Sequence, residues 1–81
     1  MLVLSRKISE AVIILDKATM TFIGFVGLVE GRGNRSRIGF SFPNSHLVQR
    51  QENTSLAGLT FSELQRVPVG TKVEMLVSQS G

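Results

Sequence analysis

Residues 11–26, AVIILDKATMTFIGFV, decide the fold class of this 81-residue chain. Residues 11–15 are all apolar, rich in β-branched side chains, and too short for a buried helix. Asp16 and Lys17 between the two runs predict a two-residue turn. From Thr19 onward, Thr and Ile at odd positions alternate with Met, Phe and Gly at even positions, which is the period of a half-buried strand. The stretch therefore predicts two successive β-strands.

Strand patterns continue on both sides of this stretch. Residues 1–6 are extended and apolar, residues 35–42 alternate in polarity, and residues 47–50 form a last short run. The loop at 27–34 is rich in glycine, and Pro43 breaks the fourth run because proline cannot donate to a central ladder. Five closely spaced strands indicate an all-β antiparallel sandwich or barrel.

After residue 50, the strand patterns give way to a more polar and less regular sequence. Residues 51–55 are polar and predict a linker. Thr60 with Glu63 fits a capping box, so we expect a short helix at about 61–66 that ends before Pro68. Alternating residues at 71–77 predict a further strand. The chain thus divides into a β domain at 1–52 and a C-terminal extension at 53–81.

Composition excludes several classes of function. The chain has no cysteine and one histidine, so a metal site is not expected. It lacks a nucleophile–base pair and a phosphate loop, so we predict neither an enzyme nor a cofactor. No apolar run is long enough to span a membrane, and the N-terminus is not ordered like a secretory signal, which predicts a cytoplasmic protein. The net charge of +3 permits a phosphate-rich partner without requiring one.

Two strands end in an arginine. Leu2, Leu4 and Arg6 share one face of the first strand, and Val48 with Arg50 share one face of the last. If these strands lie side by side, an apolar platform flanked by guanidinium groups would suit single-stranded RNA. Periodicity alone equally allows the arginines to be solvated strand ends.

The order of motifs resembles the carbon storage regulator family (CsrA, also called RsmA). The resemblance covers residues 1 to about 52, with an insertion in the hairpin at 28–34 and an atypical segment after Gln51. It rests on MLVLSRKISE at 1–10, then Ile14, Asp16, Thr19, Thr21 and Gly24, and then Arg37-Ile38-Gly39, Pro43, Val48 and Arg50.

The resemblance implies a homodimer of five-stranded protomers that interleave, with the first strand of one chain beside the fifth of the other. It also implies binding to GGA-containing hairpins in mRNA leaders and small RNAs, and control of translation initiation or mRNA stability. The implied RNA-binding residues are Leu4, Arg6, Lys7, Val48, Gln49 and Arg50. Lys7 stands where arginine is common, which loses the planar fork, and Gln49 stands where histidine is common.

Two alternatives stay open at this point. Arg32, Arg35 and Arg37 could add RNA contacts near the hairpin, or they could simply keep an inserted loop soluble. The changed C-terminus and Lys7 also allow a diverged paralogue that has little RNA affinity. Such a chain would act as a protein-interaction module, with another family member or a regulatory protein as its partner.

Overall fold

A computed structural model describes residues 2–7, 9–29 and 35–76. Its elements are β1 (Leu2–Lys7), β2 (Ala11–Asp16), β3 (Thr21–Gly27), β4 (Arg35–Phe40), β5 (His46–Arg50), a 3₁₀ turn (Gln51–Asn53) and α1 (Phe61–Leu64). The all-β class with five strands and a short C-terminal helix is confirmed. Arg32 lies outside the described residues. Across the described ranges, no helix has the length and apolar character needed to cross a membrane.

The strands form two antiparallel sheets within one chain. β1 pairs with β4, and the second sheet has the order β3-β2-β5. β1 therefore does not pair with β5 in this chain; the two strands lie in different sheets. Interleaving with a second chain stays a prediction.

β2 is the centre of the molecule, and its two faces are covered by different layers. Val12 and Ile14 pack with Leu4 and Phe40 of the β1–β4 sheet. The opposite face contacts the C-terminal extension, in a cluster made of Ala11, Ile13, Leu15, Phe22, Leu56, Leu64 and Val73. This double coverage explains why residues 11–15 form a continuous apolar run rather than an alternating one.

Residues 51–55 are not a linker, so that prediction was wrong. Gln51 is buried, and its side-chain amide donates to the carbonyl oxygens of Leu56 at 2.9 Å and Leu59 at 2.8 Å. Thr54 is fully buried and donates its hydroxyl to the Gln51 carbonyl. Polar side chains here provide the hydrogen-bond partners of buried backbone groups. Their polarity therefore does not mean that they are exposed.

The further strand predicted at 71–77 is replaced by two isolated bridges, Thr21 with Lys72 and Thr54 with Met75. Val73 donates its backbone N–H to the Met20 carbonyl, whereas Leu76 donates to the Asn53 carbonyl. The segment changes partner between these two contacts, so no continuous ladder forms over 71–76. Residue 77 lies outside the described residues.

Helix α1 begins as the capping box predicts. The Thr60 hydroxyl accepts from the Glu63 backbone N–H, and the Glu63 carboxylate accepts from the Thr60 backbone N–H, which holds the pKa of Glu63 below its usual range. The helix ends at Leu64, and residues 65–66 form a turn. Its Phe61 ring approaches β3 so closely that a Cβ at Gly27 would lie 2.5 Å from it. A larger residue at position 27 would force the Phe61 ring to shift.

Candidate nucleic-acid interface

Three cations share the outer face of the β1–β4 sheet. Lys7 lies directly opposite Arg35, and Ser5 lies opposite Arg37. Strand alternation directs Leu4 and Arg6 inward, so Lys7, Arg35 and Arg37 face away from the second sheet and are exposed. We call these three residues the basic ribbon.

The basic ribbon does not stabilise the sheet by pairing. Like charges directly opposite each other weaken a two-stranded ladder. Within the described part of the chain, salt bridges to a carboxylate are made by Arg6 alone. The ribbon cations are therefore available to an external anion, and their spacing along two strands suits an extended polyphosphate chain.

The Arg6 side chain, in contrast, points inward and is hydrogen-bonded to other residues of the chain. It is 4% exposed, and its two terminal nitrogens each donate to an oxygen of Glu52 at 2.9 Å. It also donates to the Ala11 carbonyl at 3.1 Å and to the Ser5 carbonyl at 2.9 Å. The guanidinium thus ties β1 to the start of β2 and to the turn that follows β5.

The Arg6–Glu52 pair shifts both groups toward their charged forms. Hydrogen bonding from Arg6 holds the pKa of Glu52 below its usual value, and the bond to Glu52 raises the pKa of Arg6. Because the folded pKa of Glu52 is depressed, its contribution to stability is present above the unfolded pKa and is lost as pH falls through the folded pKa.

Replacing Glu52 should destabilise the fold at neutral pH. We expect Glu52→Gln to lower the free energy of unfolding by about 1–2 kcal/mol, because a nearly buried guanidinium loses its ionic partner while water screens the half-exposed carboxylate. The difference from the unaltered protein should shrink as pH falls below about 4.5, where Glu52 becomes protonated in the unfolded state, and it should vanish below the depressed folded pKa, where Glu52 is protonated in both states. Urea unfolding followed by circular dichroism from pH 3 to pH 7 measures it.

The matched control is Glu74→Gln, an exposed carboxylate with no salt bridge to any described residue. It should leave stability unchanged within about 0.5 kcal/mol. If Glu52→Gln behaved like Glu74→Gln at every pH, the Arg6–Glu52 pair would have no measurable role in stability.

Leu4 and Val48 lie in one apolar cluster although their strands belong to different sheets. Leu4 is 9% exposed and joins the sheets as a core residue, whereas Val48 is half-buried at the margin of the cluster. The two residues meet through packing between the sheets, and not because their strands lie side by side as the sequence pattern supposed. The structure makes Leu4 part of the core rather than an open platform.

Arg50 and Gln49 end β5. Arg50 is exposed opposite Val12, and its positive charge further lowers the pKa of Glu52. Gln49 is half-buried and lines a cavity that also borders the earlier residues of β5. Arg6 donates to the Ala11 carbonyl, and Arg50 pairs with Val12, the next residue of β2. One end of the molecule therefore holds the end of β1, the end of β5 and the basic ribbon.

Sequence reasoning missed Glu52, which it treated as a scattered carboxylate. Glu52 and Arg6 are separated by 46 positions, and no local spacing relates them. Among the described residues, no group of three or more His, Cys, Asp or Glu could hold a metal ion.

The model of the CsrA family, described as a global regulator protein family, matches residues 1–55. No solved structure matches the chain. The matched range contains β1 to β5 and the Arg6–Glu52 pair, so it covers both sheets and the cationic end of the molecule. The chain therefore belongs to the CsrA family of global regulators, which are RNA-binding post-transcriptional regulators.

Proposed function

We propose that this protein binds GGA-containing hairpins in mRNA leaders and small RNAs in the cytoplasm, and that it controls translation initiation or message stability. The observation that carries the proposal is the basic ribbon, three exposed cations on one sheet face with no described carboxylate partner. In this proposal Lys7, Arg35 and Arg37 bind the RNA backbone, and Arg50 binds at the adjoining end of β5.

Direct binding of Arg6 to RNA would require breaking a hydrogen bond that the structure already contains. Both terminal nitrogens already donate to Glu52, so an RNA phosphate would have to replace at least one carboxylate oxygen. We therefore propose that Arg6 acts first as a positioning residue, which holds the end of β1 against β2 and the turn after β5. Lys7, the next residue along β1, is presented outward by this anchor.

Free strand edges support a homodimer. In the described chain, β1 pairs only with β4, so the sheet exposes two unpaired edges, and β5 pairs only with β2. Such edges are templates for pairing with another chain. A second copy would bring a second basic ribbon into the same assembly.

The decisive experiment compares two RNA hairpins by calorimetric titration, one with GGA in its loop and one with CCA in its place. We expect the GGA hairpin to bind at least about tenfold more tightly, because base-edge hydrogen bonds are lost with the other loop. Arg50→Ala should weaken binding to the GGA hairpin by about tenfold, since a charged contact is removed.

Arg66→Ala is the matched control, because Arg66 is also exposed but lies on the C-terminal extension. Equal binding of both hairpins would contradict sequence-selective binding. Absence of RNA binding together with formation of heterodimers would instead favour the protein-interaction module.

A further inference from the structure

One hydroxyl group lies inside the basic ribbon. Ser5 is directly opposite Arg37 in the β1–β4 ladder, and Lys7 follows two residues later on the same face of β1. Arg35 is opposite Lys7 and is therefore diagonal to Ser5. Side chains directly opposite each other have Cβ atoms about 5 Å apart, and long side chains also reach the diagonal position. The Ser5 hydroxyl is thus within reach of all three cations.

The orientation of Ser5 is fixed by its neighbour. Arg6 donates from its Nε to the Ser5 carbonyl at 2.9 Å, while the rest of its guanidinium is bound on the inner side of the sheet. This contact holds the Ser5 side chain on the outer face, where it is partly exposed. Its other diagonal neighbour is Gly39, which has no side chain to fill the space beside the hydroxyl. The other hydroxyl of these two strands, Ser36, lies opposite Arg6 on the inner face.

The ribbon has three positive charges at close range and lacks a described carboxylate to offset them. A phosphoryl group on a serine carries a charge of about −1.5 to −2 at neutral pH and three strong acceptor oxygens. On Ser5 it would face the planar fork of Arg37, which matches two phosphate oxygens at once. The charge of the ribbon would fall from +3 to about +1.

We propose that Ser5 is a phosphorylation site that switches the basic ribbon from an RNA-binding form to a neutralised form. This inference rests on the proposed RNA-binding function and adds a regulation of the same surface. In the reaction, the Ser5 Oγ forms a bond to the γ-phosphorus of a nucleoside triphosphate held by a protein kinase. The bond from that phosphorus to the β–γ bridging oxygen breaks, the nucleoside diphosphate leaves with the electron pair, and the hydroxyl proton passes to the base of the kinase.

The full-length protein with phosphoserine at position 5, made by chemical synthesis, tests this proposal through RNA affinity and thermal stability. We expect binding of the GGA and CCA hairpins to weaken by the same factor, at least about tenfold at low salt, because phosphate contacts are lost. We also expect Tm to rise by about 3–5 °C, because the phosphate forms charge-assisted hydrogen bonds to like-charged side chains that otherwise repel each other.

The variant Arg37→Gln shows whether the phosphate acts through the ribbon. In this variant, phosphoserine at position 5 should raise Tm by less than half as much as in the unaltered protein, because the two changes are coupled. A pH titration followed by phosphorus NMR reads the same contact directly. The second pKa of the phosphate should lie below its usual value of about 6 in the unaltered protein, and closer to that value in Arg37→Gln.

Ser62 provides the matched control, because it is an exposed serine on α1 of the C-terminal extension. Phosphoserine at position 62 adds the same charge and should lower RNA affinity by less than about threefold, since screening weakens a distant charge. Ser5→Ala should retain the affinity of the unaltered protein, because the hydroxyl itself has no proposed contact with RNA. Mass spectrometry of the protein isolated from its own cells should find phosphate on the peptide that contains Ser5.

Several outcomes would overturn the switch. One is a loss of affinity from phosphoserine at position 5 that is no larger than the loss from position 62. Another is a lowered Tm that Arg37→Gln does not alter, since the phosphate would then only disrupt the strand. A third is the absence of phosphate on Ser5 in the isolated protein under every growth condition. If the unaltered protein bound no RNA, the proposed function would fail, and Tm and phosphorus NMR would still decide whether the ribbon binds the phosphate.

Discussion

Removing the basic ribbon should lower RNA affinity by about 100-fold at low salt, while the fold remains intact. The triple variant Lys7→Gln, Arg35→Gln and Arg37→Gln deletes three exposed cations whose side chains face away from the core. If each contacts one phosphate at a cost of roughly fivefold in affinity, the losses multiply. The slope of log affinity against log salt concentration should become shallower by about 2, which is roughly 0.7 for each single-strand phosphate contact.

A charge-matched control separates location from net charge. Lys17→Gln, Arg66→Gln and Lys72→Gln also reduce the net charge from +3 to 0, but these residues lie on the β2–β3 turn and the extension. We expect this variant to lose much less affinity. The ribbon variant should weaken GGA and CCA hairpins by the same factor, because phosphate contacts carry no sequence information. An equal loss from both triple variants would mean that the ribbon has no special role.

Truncation of Leu64 should destabilise the whole molecule, including the central strand β2. Leu64 is 1% exposed and packs in the same cluster as Ile13 and Leu15 of β2. We expect Leu64→Ala to lower the free energy of unfolding by about 2–4 kcal/mol, since it leaves a cavity in a shared core. Urea unfolding measures the loss, and amide hydrogen exchange at Ile13 reports on β2 directly.

The control is Leu76→Ala, the same substitution at a residue that is 60% exposed. It should change stability by less than about 0.5 kcal/mol. We expect Leu64→Ala to accelerate exchange at Ile13 in proportion to its global effect. If the extension alone unfolded and β2 kept its protection, residues 53–76 would be a separate unit, and the division at residue 52 would describe two independent structures.

Much of the fold follows from local pattern. Strand identity, the break at Pro43 and the start of α1 at Thr60 each depend on residues that are close together in the chain. Part of the candidate site could also be predicted from local pattern. Alternation alone assigns Arg6 and Lys7 to opposite faces of β1, and it assigns Arg35 and Arg37 to a common face of β4.

The partners of those faces could not be predicted in the same way. Polarity suggested that residues 51–55 were solvated, but Gln51 and Thr54 satisfy buried backbone groups. Similarly, no residue near Arg6 in the sequence indicates that Glu52 forms an ion pair with it. Side-chain polarity shows that a group needs a hydrogen-bond partner, and it does not show whether water or protein provides that partner.

The sequence by itself determined the all-β class, five strands, one capped helix and membership of an RNA-binding family. These features rest on backbone propensity, strand periodicity and a motif order that can be read along the chain. Tertiary structure alone decided that Arg6 is clamped inside, that three other cations form the exposed ribbon, and that Ser5 lies opposite Arg37 within it. The reason is physical: strand pairing and sheet packing bring together residues that are distant in sequence, and their charge and exposure are fixed only by those contacts.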